Sequence, residues 1–286
     1  NRDLSTEITA NELGIDNYLT KPISKQKLLM SLERTLIRQQ QLNDQRQQMI
    51  SNALCPQIAN NDKHYTMTLK NVSPAVGGGD FVVQKTLSDR TIVILADVMG
   101  HDETAKLFAH SFDGFIKGLI EQSTAVNLAN IFTSLSKQVY QDPLLSKMLL
   151  TCIGVELFAD HINIVSAGHP SPIIFSGETT QQIDVIGRLP GLCAQTHYQQ
   201  KTISLASDQQ LLLFTDGLFD WANNAAGKQQ LLSSLLDQCH QHTNSDINNL
   251  ADAFIDEFSQ CCAQPKDDMT FILLQKNTAN NAVDKQ

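Results

Sequence analysis

The sequence predicts an α+β fold in the broad α/β class, two stacked antiparallel sheets flanked by helices with a long connector helix ahead of them. Three observations predict it. Apolar β-rich runs follow one another as hairpins, helical patterns come in pairs, and 42% hydrophobic against 18% charged residues over 286 residues supplies a large core. That length allows roughly two compact units.

The elements follow in chain order. Gly14 stops a helix end, a short strand over Asp16–Thr20 leads to Lys21-Pro22, and a new helix starts beside Ser24. That helix runs to about Leu54, with Leu28, Leu29, Leu32, Leu36 and Ile37 on one side. Within its glutamine-rich stretch, Gln39 to Gln48, and just beyond, Leu42 and Met49 continue a seven-residue spacing from Leu28, with Thr35 as the gap. Such a seam admits two readings, pairing of two chains or a solvated linker.

After Pro56 the pattern changes to strands: Thr91–Ala96, Leu149–Phe158, Ile162–Ser166, Pro172–Phe175, Thr202–Leu205, Gln210–Thr215 and Met269–Leu274, with Ala159-Asp160-His161 as a turn. Helical periodicity covers Glu103–Gln122, Asn127–Gln141, Lys228–Gln241 and Asp246–Gln260. The organisation expected is a leading segment 1–37, a helical linker 38–63, a main domain 64–276 and a loose polar tail 277–286.

The net charge of −9 argues against a nucleic-acid partner, which selects a basic face. No run approaches 18 apolar residues and no secretion signal opens the chain, so neither membrane insertion nor export is expected and a cytoplasmic location is. The six cysteines show no C-x-x-C spacing and are expected to be reduced and mostly buried. The chain opens on Asn1 in helix-like sequence and reads as a piece of something longer. Residues 1–46 carry +1 and the remainder −10. Either an acidic surface or carboxylates gathered for cations would produce that asymmetry.

Four aspartates stand at strand ends beside glycines or a second carboxylate: Asp80 in Gly77-Gly78-Gly79-Asp80-Phe81, Asp97 in Ala96-Asp97-Val98-Met99-Gly100-His101, Asp216 in Thr215-Asp216-Gly217, and Asp267 in Asp267-Asp268-Met269-Thr270. A strand that buries its body and ends in Asp places a carboxylate at the rim of a sheet. Several such rims together form an oxygen cage suited to Mg²⁺ or Mn²⁺, with no His/Cys set at zinc spacing to compete. A single Asp-Gly, by contrast, is the ordinary signature of a turn.

Residues 14–22, with Gly14, Asp16, Tyr18, Leu19, Lys21 and Pro22 in place, resemble the end of a response-regulator receiver domain. The resemblance implies a switch lysine at Lys21, a cis Lys21-Pro22 bond and a phospho-acceptor upstream of Asn1. From Val76 to Leu274 the ordered series G-G-D, D-V-x-G-H, A-G-H-x-P (from Ala167), T-D-G-L and D-D-M-T resembles the SpoIIE-like branch of the metal-dependent protein phosphatase 2C family. That resemblance implies a β-sandwich between helical layers and two divalent cations, Mn²⁺ or Mg²⁺. Asp80 and Asp97 would bind the two ions and hold the bridging water, with Asp97 touching both ions and the Val98 backbone carbonyl contributing, and Asp216 and Asp267 would complete the shell of the second ion. It leaves His101 as proton donor to the leaving serine oxygen or as a turn histidine, and His169 as structural.

This chain departs from the family pattern at Val83, where a second aspartate is common, and at Asp102, where glycine is. The function implied is the serine/threonine phosphatase output of a two-component protein, acting on a phosphorylated anti-sigma-factor antagonist; the pairing reading of the linker seam would add a homodimer through that helix. A catalytically silent binding module of the same fold, or a phosphatase for a small molecule, are the rivals.

Overall fold

A computed structural model describes residues 19, 21–60, 62–73, 78–100, 102–122, 127–176, 179–219, 225–242, 246–262 and 267–277, with Gln47 and Cys261 described by backbone alone. The expected strand over Asp16–Thr20, apart from Leu19, the site candidate His101, and the tail beyond Asn277 lie outside these residues. The chain divides into two compact units, Asn1–Met49 and Ile50–Gln286.

Helix α1 (Lys25–Leu54) starts after Ser24, whose hydroxyl accepts the Lys27 N–H at 3.2 Å. The Lys21–Pro22 peptide is cis. Its apolar residues Leu29, Leu36 and Met49 are 53%, 69% and 72% exposed. The last turn of α1 behaves differently: Ser51 and Leu54 are buried and Ile50 packs on the core of the second unit.

The second unit runs β1 (Tyr65–Val72), β2 (Asp80–Thr86), β3 (Thr91–Val98), α2 (Glu103–Gln122), α3 (Leu128–Gln141), β4 (Leu150–Leu157), β5 (Ile162–Ala167), β6 (Ile173–Ser176), β7 (Thr179–Gln182), β8 (Lys201–Ile203), β9 (Gln210–Phe214), α4 (Ala225–Gln241), α5 (Ile247–Cys261) and β10 (Met269–Lys276). One sheet has the order β1-β10-β9-β6-β7 and the other β2-β3-β4-β5-β8, with every pairing antiparallel. The expected helices stand within three residues of their ends, and the starts of α3 and α5 carry side-chain caps. Asn127 accepts Asn130 N–H at 3.0 Å and Asp246 accepts Asn248 N–H at 3.0 Å.

Strand alternation sorts the core into three layers. Val93, Leu95, Ile153 and Val155 face Met67, Leu211, Leu213 and Ile272 between the sheets. The other faces of β2, β3 and β4 meet α2 and α3 through Phe81, Ile92, Ile94, Phe112 and Phe132. The outer face of the first sheet meets α4 and α5 through Phe175, Leu212, Phe254 and Phe271. Each fully buried aliphatic or aromatic side chain adds about 1.5–3 kcal/mol, so Phe132→Ala is expected to cost about 3–5 kcal/mol.

Strands β1, β2 and β7 were not among the sequence-expected elements. β2 mixes Gln84 and Lys85 with its apolar residues, and β7 is exposed along its whole length and exists through its pairing with β6. The cysteine expectation needs correction: of the five whose side chains are described, Cys152 and Cys239 are buried, while Cys55 is exposed and Cys193 and Cys262 are intermediate. All five are free thiols.

Candidate metal centre

The β2–β3 ladder pairs Asp80 directly with Asp97, and the β3–β4 ladder pairs Asp97 with Thr151. By alternation these residues share a face with Leu95 and Ile153, so they stand at one end of the layer between the sheets. In the opposite sheet Thr215 and Thr270 continue the inward-facing sets of β9 and β10 to the same end. Thr215 Oγ1 donates to Asp80 Oδ2 at 2.9 Å and accepts the Thr270 N–H at 3.0 Å. A buried hydroxyl thus links the two sheets through the Asp80 carboxylate.

Asp80 is 2% exposed, and its second oxygen, Oδ1, is buried with no hydrogen-bond partner. Burial, then the charge of Asp97, then that of Asp268 raise its carboxyl well above the usual range, against the hydroxyls of Thr270 and Thr215, which favour the charged form. An ionised acceptor with an unmatched oxygen beside two like charges is costly by itself. A cation removes that cost.

Asp97 is half-buried. Asp216 is exposed and opens a 3-10 turn over Asp216–Leu218, directly after Thr215. Asp267 is half-buried, its Oδ1 accepting the Asp268 N–H at 2.8 Å. The Val98 carbonyl lies against Gly79, where an added Cβ would come within 2.3 Å of it. The structure therefore brings Asp80 and Asp97 together and anchors the Asp216 and Asp267 segments on paired strands, with Thr215 N–H donating to the Thr270 carbonyl at 2.9 Å. Among the described residues no group of three or more His, Cys, Asp or Glu side chains is gathered around one point.

Both departures have structural roles. Val83 is buried among Phe81, Ile92 and Ile94 on the face of β2 opposite Asp80, and Asp102 caps α2 by accepting the Ala105 N–H at 2.9 Å. His169 is buried, with Nδ1 2.8 Å from Thr151 Oγ1 and Nε2 unpartnered. Burial pushes its imidazole down to about 3. It is neutral at physiological pH.

Sequence reasoning passed over Asp268, which is 4% exposed and accepts the Gly79 N–H on Oδ2 at 2.8 Å. The available signal was parity: Asp268 has the spacing of Thr270 and Ile272, which face inward, whereas Asp267 does not.

A curated relative, the phosphoserine phosphatase RsbP of Bacillus subtilis (strain 168), is 25% identical over 205 residues, covering 65% of this chain and 51% of its own length. This chain thus spans about half of that relative. The solved SiaA-PP2C domain of Pseudomonas aeruginosa superposes with a TM-score of 0.66 at 20% identity, covering 84% of this chain and 99% of that one. RsbX in complex with magnesium superposes with a TM-score of 0.55 at 17% identity, covering 77% of this chain and 99% of that one. These likenesses show the fold, a PP2C-like sandwich. The family model described as Stage II sporulation protein E (SpoIIE) matches residues 88–277, about two thirds of the chain and three of its four rim aspartates, so the chain belongs to the SpoIIE family.

Proposed function

We propose that this chain is a metal-dependent serine/threonine protein phosphatase. The observation that carries the reading is the Asp80 carboxylate, buried opposite Asp97 with one oxygen unmatched. That donor set fits hard divalent cations, Mn²⁺ or Mg²⁺, through oxygen ligands alone. Asp80 and Asp97, with the Val98 carbonyl, would hold two ions, and Asp216 and Asp267 would complete the shell of the second. Such ions activate a water and neutralise phosphoryl oxygens during in-line attack.

The chain's own contribution is to fix the Asp80 carboxylate through Thr215, to keep its surroundings dry, and to place Asp216 on a turn at the solvent edge. His101 would donate the proton to the leaving serine oxygen. The likeness to the phosphoserine phosphatase RsbP and to the PP2C domains supports the reaction class, and family membership supports a phosphorylated anti-sigma-factor antagonist as substrate. The exposed apolar residues of α1 support pairing of two chains along it, and the pattern around Lys21-Pro22 supports a receiver segment ahead of it. The setting is a cytoplasmic two-component protein. No helix among the described residues is long and apolar enough to cross a membrane.

The test is phosphate release from a phosphoserine protein, and from p-nitrophenyl phosphate, with Mn²⁺. Release is expected with Mn²⁺ and absent in excess chelator. Full activity in chelator overturns the metal mechanism, and no turnover with Mn²⁺ favours the silent binding module.

A further inference from the structure

Asp268 touches three of the four segments that carry the candidate metal aspartates. Its Oδ2 accepts the Gly79 N–H at 2.8 Å and its Oδ1 accepts the Ser73 hydroxyl, so the carboxylate ties the end of β1 to the residue just before Asp80. Gly78 lies so close that a Cβ there would come within 1.6 Å of the same Oδ2. The Asp268 carbonyl stands 2.1 Å from where a Cβ on Gly217 would be, directly after Asp216. Its own N–H donates to Asp267 Oδ1 at 2.8 Å.

Both Asp268 oxygens are engaged by protein donors, whereas Asp80 keeps one oxygen with none. The two buried carboxylates therefore divide the work. We infer that Asp268 is a positioning residue that moulds the Gly78-Gly79 segment around its carboxylate and so sets the Asp80 carboxylate, with Asp267 and Asp216, for the divalent cations. The inference rests on the phosphatase reading of the same site.

A carboxyl group suits the task because its two oxygens accept from two donors at once. Asparagine can keep the Gly79 bond on its carbonyl oxygen and offer N–H to the Ser73 hydroxyl, which rotates to accept it. Alanine keeps neither contact. Partners that orient metal ligands in this way typically carry about a 10–100-fold effect on metal affinity.

The experiment is Mn²⁺ titration by calorimetry, with melting temperatures in the presence and absence of Mn²⁺, on the full chain and on Asp268→Ala, Asp268→Asn and Ser73→Ala. Asp268→Ala is expected to bind Mn²⁺ about 10–100-fold more weakly and to lose most of the Mn²⁺-induced rise in melting temperature. Asp268→Asn should recover most of both, and Ser73→Ala should fall between. Unchanged Mn²⁺ affinity in Asp268→Ala overturns the inference, as does an Asp268→Asn variant as impaired as the alanine one, which would make Asp268 a ligand through its charge. If Asp268→Ala does not fold, Ser73→Ala decides: weaker Mn²⁺ binding at an unchanged metal-free melting temperature supports the inference, and unchanged binding overturns it. A wild-type chain that binds no Mn²⁺ overturns the phosphatase reading as well, whereas wild-type binding matched by the variants overturns only the role of Asp268.

Discussion

The sheet containing β3 and β4 buries one carboxylate toward each end and treats the two in opposite ways. Glu156, 1% exposed, accepts Arg90 Nε–H at 3.1 Å and Asn163 Nδ2–H at 3.3 Å, and the Arg90 guanidinium also lies 5.6 Å from the centre of the Phe158 ring. Asp80, 2% exposed, faces two like charges and leaves one oxygen unmatched. On the β3–β4 ladder the Ile92–Glu156 and Asp97–Thr151 pairs stand five residues apart, about 17 Å. A carboxylate given a fixed protein cation is finished as structure. One placed among other carboxylates, on the reading proposed above, would be balanced by a cation from solution.

The sharpest way to break this contrast is to remove a rim aspartate. Asp97→Ala or Asp216→Asn is expected to abolish Mn²⁺-dependent phosphate release from a phosphoserine protein while the variant still folds, checked by circular dichroism. At the opposite end, Arg90→Ala leaves Glu156 buried without its ion pair and should lower unfolding free energy by about 3–5 kcal/mol in urea titrations. Release per folded molecule should stay unchanged. A loss of both would mean the two ends are not separate.

A milder change sharpens the difference. Asp80→Asn removes a charge that burial and Asp97 disfavour, so the metal-free protein should melt higher than wild type, while added Mn²⁺ should no longer raise its melting temperature. The wild-type protein should show the reverse pattern.

The smallest effect concerns His169. Its folded pKa of about 3 lies below the ordinary 6.5, so the unfolded chain takes up the proton first as pH falls. The stability it contributes is therefore full above about 6.5 and declines below it, by about 2 kcal/mol between pH 6.5 and 5. Asp80 in the metal-free protein works the other way, since its raised folded pKa makes protonation favour the native state. Comparing urea midpoints of wild type and His169→Gln across this range isolates the histidine: the variant should show the shallower acid-side loss.

Much of the sandwich was legible because its strands are long apolar runs and its helices carry caps at Asn127 and Asp246. Strands β2 and β7 escaped because their polar residues are held by ladder hydrogen bonds, which leave no hydrophobic period. At the site, Asp80 and Asp97 could be chosen as strand-end carboxylates, and the ladder pairs them. Asp268 could not be separated from Asp267 by residue type, since the two are adjacent and identical, and only the strand's facing direction distinguishes them.

The sequence by itself determined the class of fold, the pairing of helices, the concentration of acid in the second part of the chain and the set of aspartates at strand ends, because these are properties of local pattern and composition. Tertiary structure decided which oxygens are satisfied. Asp80 is left one oxygen short because Thr215, from the other sheet, reaches only its partner oxygen, and Asp268 is filled because Ser73 and Gly79 arrive from just after β1 and just before β2. Those donors lie 135 to 195 residues away along the chain, so their arrival is a matter of sheet register and stacking.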